Sequence, residues 1–300
     1  MKDTILMQIA NCLSANEQKI TDIGLLEGKM GVAVYLYWYA RYSGHSEYKN
    51  LANNLIDEVI TGISEKDISI SKGLSGIGWG INHLLKEKFL QGEDDLLEDF
   101  DECILQYIKE NTNENMLDGC IYLICEHSKP LDESMIKIFT KQFSLFLLSG
   151  NYPLSTLNKL LHIANRIPSR HLFPLYDTLL NVALHAIHTK AYRCSDLMIC
   201  KDLLEAFPEN DDNQIRKELC DLCTSLLFRS ISYLDRLEAI WQNLVFSGGT
   251  VNMQHDINRI SMLVTDKLKD LLASDLYLSC GLPAIGMDIL LTDEPSISLE

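Results

Sequence analysis

The chain repeats itself, and the repeat limits what it can fold into. Glu27-Gly28-Lys29-Met30-Gly31-Val32-Ala33-Val34, Lys72-Gly73-Leu74-Ser75-Gly76-Ile77-Gly78-Trp79 and Cys280-Gly281-Leu282-Pro283-Ala284-Ile285-Gly286-Met287 share a Gly-x-x-small start followed by an apolar helical run. Met116-Leu117-Asp118-Gly119-Cys120-Ile121-Tyr122 is a weaker fourth copy that keeps the second glycine. With that second small position as a phase marker, the copies stand at 31, 76, 119 and 284. The steps are 45 and 43 residues, then a gap of 165 that divides into four steps of about 41. The positions implied inside the gap, near 157, 198 and 239, fall in the apolar patterns Leu157 to Ala164, Met198 to Phe207 and Ala239 to Phe246. Seven units are expected, with the glycines lost from the middle three.

Between these runs lies a second set of segments with apolar residues at i, i+3 and i+4 and a charged opposite face, roughly 4–15, 46–62, 95–109, 132–148, 172–189, 212–230 and 254–273. Each unit therefore reads as a helical hairpin, and turn chemistry such as Ser43-Gly44, Pro208-Glu209-Asn210 and Ser247-Gly248-Gly249 marks the breaks. No strand pairs are evident, so the chain is expected to be all-α. The glycine-marked helices, for example Val32 to Tyr39 and Ile77 to Leu85, are apolar around nearly their whole circumference and belong inside the array. An open array needs polar end caps, yet the first and last copies carry full-strength glycines, so closure into a ring is expected: one α/α toroid of seven hairpins over residues 1–300.

Charge narrows the partners. With 26 basic against 42 acidic side chains the net charge is −16, and the signs alternate in runs such as Glu65-Lys66-Asp67 and Lys86-Glu87-Lys88. That pattern disfavours nucleic acid and anionic membranes. No window approaches the roughly 20 apolar residues of a membrane span and no leader pattern is visible, so a cytoplasmic location is expected. Nine cysteines, several within helical patterns (Cys103, Cys120, Cys125, Cys220), suit free thiols in a reducing compartment.

Seven hairpins whose inner helices open with Gly28-Lys29-Met30-Gly31 or Gly73-Leu74-Ser75-Gly76 resemble the lanthionine synthetase cyclases and their LanC-like relatives. The resemblance is clear over residues 20–90 and 275–292 and topological between them. It implies maturation of a ribosomally made peptide, in which a zinc ion lowers the pKa of a substrate cysteine and the thiolate adds to a dehydrated Ser or Thr. The family's zinc is held by a Cys of the fifth unit and a Cys-His pair of the sixth, with an open fourth position. Carried over in register, the first ligand falls on Arg193 and the pair on Leu234 and Asp235, while the family's active-site His falls near Pro153 or Leu154. None matches. A shift of one residue would leave Cys194, combined with Cys280 and His255, as an alternative zinc set.

Other candidates are thinner. Cys220-Asp221-Leu222-Cys223 has the C-x-x-C form but no second pair or histidine at ligand spacing, and it reads as two cysteines on one helix face. His185 and His188 lack a nearby third ligand. Glu27 and Asp118 stand near helix starts, where the dipole favours negative charge. Two acids facing each other across a cavity would permit glycoside hydrolysis, but Tyr35, Tyr37, Trp38 and Tyr39 lie beyond the first turn and read as core rather than sugar platforms. The expected function is a zinc-less accessory or peptide-binding protein. Its funnel would be lined by Glu27, Lys29, Lys72, Ser75, Asp118, Arg193, Asp235, Ser279 and Cys280, and its partner would be a peptide or a peptide-modifying enzyme. An active zinc cyclase and a glycan-acting toroid are the alternatives.

Overall fold

A computed structural model describes residues 1–64, 67–92, 97–126, 133–147, 152–166, 173–206, 213–227, 232–239 and 257–293. Among them the regular structure is helical, with one isolated bridge between Ile23 and Gly28. The amphipathic helices are α1 (Lys2–Asn16), α3 (Ser46–Gly62), α5 (Glu98–Glu110), α7 (Glu133–Leu147), α9 (Phe173–His188), α11 (Gln214–Leu227) and α13 (Ile257–Lys269). They alternate with α2 (Lys29–Ser43), α4 (Leu74–Lys86), α6 (Glu114–Glu126), α8 (Leu154–Arg166), α10 (Cys194–Glu205), α12 (233–239) and α14 (Leu282–Asp293). The alternation follows the phase of the repeat, including the three units without glycines. No helix among the described residues is long and apolar enough to cross a membrane.

The chain divides into two compact units, Met1–Ile104 with Gly248–Glu300, and Leu105–Ser247. In the first, α2 is buried at every position from Met30 to Ala40, whereas α3 buries only Ala52, Leu55, Ile56 and Val59. That i, i+3, i+4, i+7 stripe contributes roughly 6 kcal/mol of hydrophobic transfer before chain entropy is charged against it. The helix therefore depends on its packing against α2 more than on its own propensity.

The repeat glycines have one cause. The segment leading into α2, α4 and α14 folds back across the helix start, and a main-chain carbonyl six residues upstream fills the space a Cβ would need. An added Cβ at Gly31 would lie 2.1 Å from the Leu25 oxygen, and one at Gly76 would lie 1.9 Å from the Ile70 oxygen. The same back-fold lets Lys29 N–H donate to the Asp22 carbonyl and Leu74 N–H to that of Asp67, both at 2.9 Å, satisfying first-turn donors without side-chain caps. Aspartate precedes the glycine by six residues in three copies: Asp22 and Gly28, Asp67 and Gly73, Asp275 and Gly281.

These lead-in segments also join side by side. Leu26 and Glu27 N–H groups donate to the Ser71 carbonyl, and Ser279 N–H donates to that of Leu26. Beneath them α14 packs on α2 and α2 on α4, with Gly286 against the Tyr35 ring and Gly80 against Met30. Within this unit the last hairpin thus lies beside the first.

In the second unit α6, α8 and α10 also lie side by side, with α9 and α11 against them. Here polar side chains tie the marked helices together. Asn158 Nδ2 donates to the Asp196 carbonyl at 2.8 Å, and Asn165 Nδ2 to that of Leu203 at 2.9 Å. Thr156 Oγ1 donates to Glu114 at 2.9 Å.

Candidate functional site

Helix starts gather charge because first-turn amides carry partial positive charge and leave donors exposed. At three of the starts in this chain, one cation lies between two carboxylates. Lys72 Nζ is 3.1 Å from Asp22 and 3.4 Å from Glu27, all three partly solvent-exposed. Lys159 Nζ, on α8, is 2.7 Å from Asp118 and 3.4 Å from Glu114, both on α6. Arg193, immediately before α10, pairs with Asp196 and with Glu238 of α12, whose carboxylate also accepts from Ser195 Oγ.

The second cluster has the most enclosed cation, the Lys159 side chain being 18% exposed against 44% for Lys72 and 57% for Arg193. Burial works against the charge on Lys159, but Asp118 and Glu114 more than offset it and hold the ammonium above its ordinary value. Hydrogen bonding to Asp22 likewise raises Lys72. For Arg193 burial opposes the charge, and Asp196 and Glu238 outweigh it. All three cations thus stay protonated, so none serves as a nucleophile or general base near neutrality. Each nearby acid is held by a cation, rather than standing opposite a second acid as glycoside hydrolysis requires. The clusters present fixed charge, suited to binding.

Lys159→Met should cost about 3 kcal/mol, because it leaves Asp118 buried without its countercharge. The double variant Lys159→Met/Asp118→Leu should recover most of that loss in urea denaturation. A double variant as unstable as the single one would show that the pair is not the source.

The predicted funnel residues divide between the units. Glu27 and Lys72 pair in the first, where Ser279 and Cys280 are half-buried neighbours, their Oγ and Sγ 3.9 Å apart. Lys29 departs from the expectation: its ammonium pairs with Glu58 on α3. Ser75 is fully buried and its hydroxyl finds no partner among the described residues, so it lies beneath the surface rather than lining it. In the second unit Asp118 and Arg193 belong to the clusters above. Asp235 accepts from the N–H and hydroxyl of Ser232 at 3.0 and 2.6 Å while its own N–H donates to Ser232 Oγ, a reciprocal cap at the start of α12. Glu27 and Asp118, at positions that suit dipole capping, instead hold Lys72 and Lys159.

Asp22, Glu114, Lys159, Asp196 and Glu238 escaped the sequence reading. A lysine inside the apolar run Leu157 to Ala164 was the available signal for one of them.

At the in-register zinc positions the donors do not suit thiolate–imidazole coordination. Arg193 brings positive charge, Leu234 brings carbon, and the Asp235 carboxylate is occupied as a cap. Cys194 opens α10 in one unit and Cys280 precedes α14 in the other, while His255 lies outside the described residues. Cys223 of the C-x-x-C pair packs against Cys200. Their mutual hydrogen bond, with burial, holds the Cys200 thiol well above the ordinary thiol range, and burial does the same for Cys120. Cys200 and Cys120 are protonated structural thiols, while the same hydrogen bond lowers Cys223. Cys220 and Cys103 are only half-buried, and His185 and His188 are exposed on α9.

No curated protein and no solved structure matches the chain. Residues 2–121 match the lanthionine synthetase C-like protein family, a span that includes two full glycine-marked starts and the weaker one at Gly119. Over those residues, the N-terminal two-fifths of its length, this chain is similar to the lanthionine synthetase C-like proteins.

Proposed function

We propose that this chain binds a ribosomally made peptide, or the enzyme that modifies it, and takes part in peptide maturation without a zinc-activated cysteine. The family match over residues 2–121 supports the peptide context. The observation that carries the zinc-less reading is the guanidinium at Arg193, held between Asp196 and Glu238 where the family places a thiolate. Replacing a metal-binding thiolate by a cation removes a ligand and adds repulsion toward Zn²⁺. The seven hairpins would close into one toroid, with the charged helix starts gathered at the mouth that receives the peptide.

The test combines two measurements on the purified protein: elemental analysis for zinc, and incubation with a peptide carrying one cysteine and one dehydroalanine while free thiol is followed. Saturable peptide binding without stoichiometric zinc or thiol consumption is expected. One equivalent of zinc, lost on Cys194→Ala or Cys280→Ala, would establish the zinc-cyclase alternative instead.

A further inference from the structure

At the far ends of α2 and α4, away from the glycine-marked starts, lies an open cleft of about 340 Å³. Lys29 and Arg41 are the first and thirteenth residues of α2, which puts the cleft roughly 18 Å along the axis from the first turn. Tyr37 and Phe89 form its aromatic wall, with ring centroids 5.4 Å apart. Its rim carries Arg41, His45, Lys49 and Lys88, and no carboxylate lines it.

That lining runs against the composition of a chain with 42 acidic and 26 basic side chains. Two rim groups have local partners: Arg41 pairs with Glu87 at 3.1 Å and stacks over the Phe89 ring, 3.6 Å from its centroid, and His45 Nδ1 lies 3.2 Å from Glu47. Among the described residues Lys49 and Lys88 have no acidic partner. Helix electrostatics does not account for Lys49, which sits in the first turn of α3, where the dipole disfavours a cation. Lys88 is held at φ 59°, a left-handed conformation that costs a side-chain-bearing residue energy and that glycine would adopt freely. Lys88 closes the C-terminus of α4, its N–H donating to the Leu85 carbonyl and the Phe89 N–H to that of Leu84, and this cap sets Lys88 at the cleft rim.

We propose that this cleft binds a multiply charged oxyanion, the phosphate or pyrophosphate group of a small molecule, between Lys49 and Lys88. The cleft lies at the low end of the volume range of small-molecule sites. Lysine ammoniums serve as point charges for such a group, while Arg41, whose two terminal nitrogens donate to the Glu87 carboxylate and carbonyl, is stacked over Phe89 as part of the wall. The site is separate from the peptide-binding reading and survives if that reading fails.

Calorimetric titration of the full chain with inorganic pyrophosphate is the test. Saturable binding with a dissociation constant below about 1 mM at low salt is expected, weakening as salt is raised. The variant Lys49→Gln/Lys88→Gln should bind at least about tenfold more weakly with an unchanged melting temperature, since it neutralises both contacts. Lys88→Gly separates binding from folding: it should raise the melting temperature by roughly 2 °C through relief of strain while weakening pyrophosphate binding. Lys190, in the other unit at φ 57°, is the control, and Lys190→Gly should stabilise without affecting binding. No saturable heat up to about 10 mM pyrophosphate, equal binding by the double variant, or equal weakening by Lys190→Gly would each overturn the proposal.

Discussion

Moving the protein from pH 7 to pH 5 should remove roughly 4 kcal/mol of stability through two histidines alone. His162 on α8 is 2% exposed; burial, reinforced by the charge of Arg166, lowers its pKa to about 3. His83 on α4 is half-buried, its ring stacked on Trp79 with centroids 5.0 Å apart, and its Nε2 accepts from the Trp38 indole at 3.1 Å. Burial, with Lys86 and Arg41 nearby, lowers its pKa to about 4. Protonation would also destroy the acceptor that the indole uses.

Unfolded histidine titrates near 6.5, so below that pH the unfolded chain binds protons that the folded chain refuses. The stabilisation is fully present above about pH 6.5 and disappears as pH falls toward 4 and then 3. Ordinary carboxylates titrate mostly below this window, which leaves the pH 7 to 5 slope to the histidines. Urea midpoints measured at half-unit steps should fall across it, and His162→Leu should flatten the slope by about half. An unchanged slope in that variant would show that His162 is protonated in the folded protein. Since His83 and His162 belong to different units, His162→Leu and His83→Leu should report on different parts of the molecule.

The second large effect is at Gly76. An alanine Cβ would lie 1.9 Å from the Ile70 oxygen and 2.9 Å from its carbon, both backbone atoms held by the lead-in segment. Relief requires moving that segment and its hydrogen bonds, so Gly76→Ala should cost about 4 kcal/mol, near the severe end for single substitutions. Gly80→Ala meets only the flexible side chain of Met30 and should cost less, about 1–2 kcal/mol. Gly44 ends α2 at φ 75° with nothing within 4 Å of an added Cβ, so Gly44→Ala should cost about 1 kcal/mol from conformation alone. Thermal melts of the three variants rank them, and equal losses at Gly76 and Gly44 would refute the carbonyl-contact explanation.

This contrast also explains what the sequence disclosed. Where neighbouring backbone fills the Cβ position only glycine fits, so Gly31 and Gly76 stand out without any alignment. In the second unit Asn158, Asn165 and Thr156 join the helices, and many polar residues can make such ties, so the middle repeats carry a period but no signature. The amphipathic helices were legible throughout: the stripe Ala52, Leu55, Ile56 and Val59 placed 46–62, and α3 runs from Ser46 to Gly62.

The charged site was less legible. Helix phase placed Glu27, Lys72, Asp118 and Arg193 near helix starts, but a pattern along the chain does not say which carboxylate meets which cation. Lys159 meets Asp118 and Glu114 from the preceding marked helix, some 40 residues away, and was hidden in a run that reads as core. The sequence likewise could not show that the Lys29 ammonium turns to Glu58 or that Ser75 is covered.

The contact of α14 with α2 bears on how the protein is made. Tyr35 is completed by Gly286, and Gly31 lies against Leu278, partners separated by about 250 residues. On the ribosome, the earliest hairpin must wait with an uncovered aromatic flank until nearly everything else has been synthesised. Nascent chains stalled before residue 278 should therefore be open to proteases around α2, and this opening segment would become resistant only after α14 emerges.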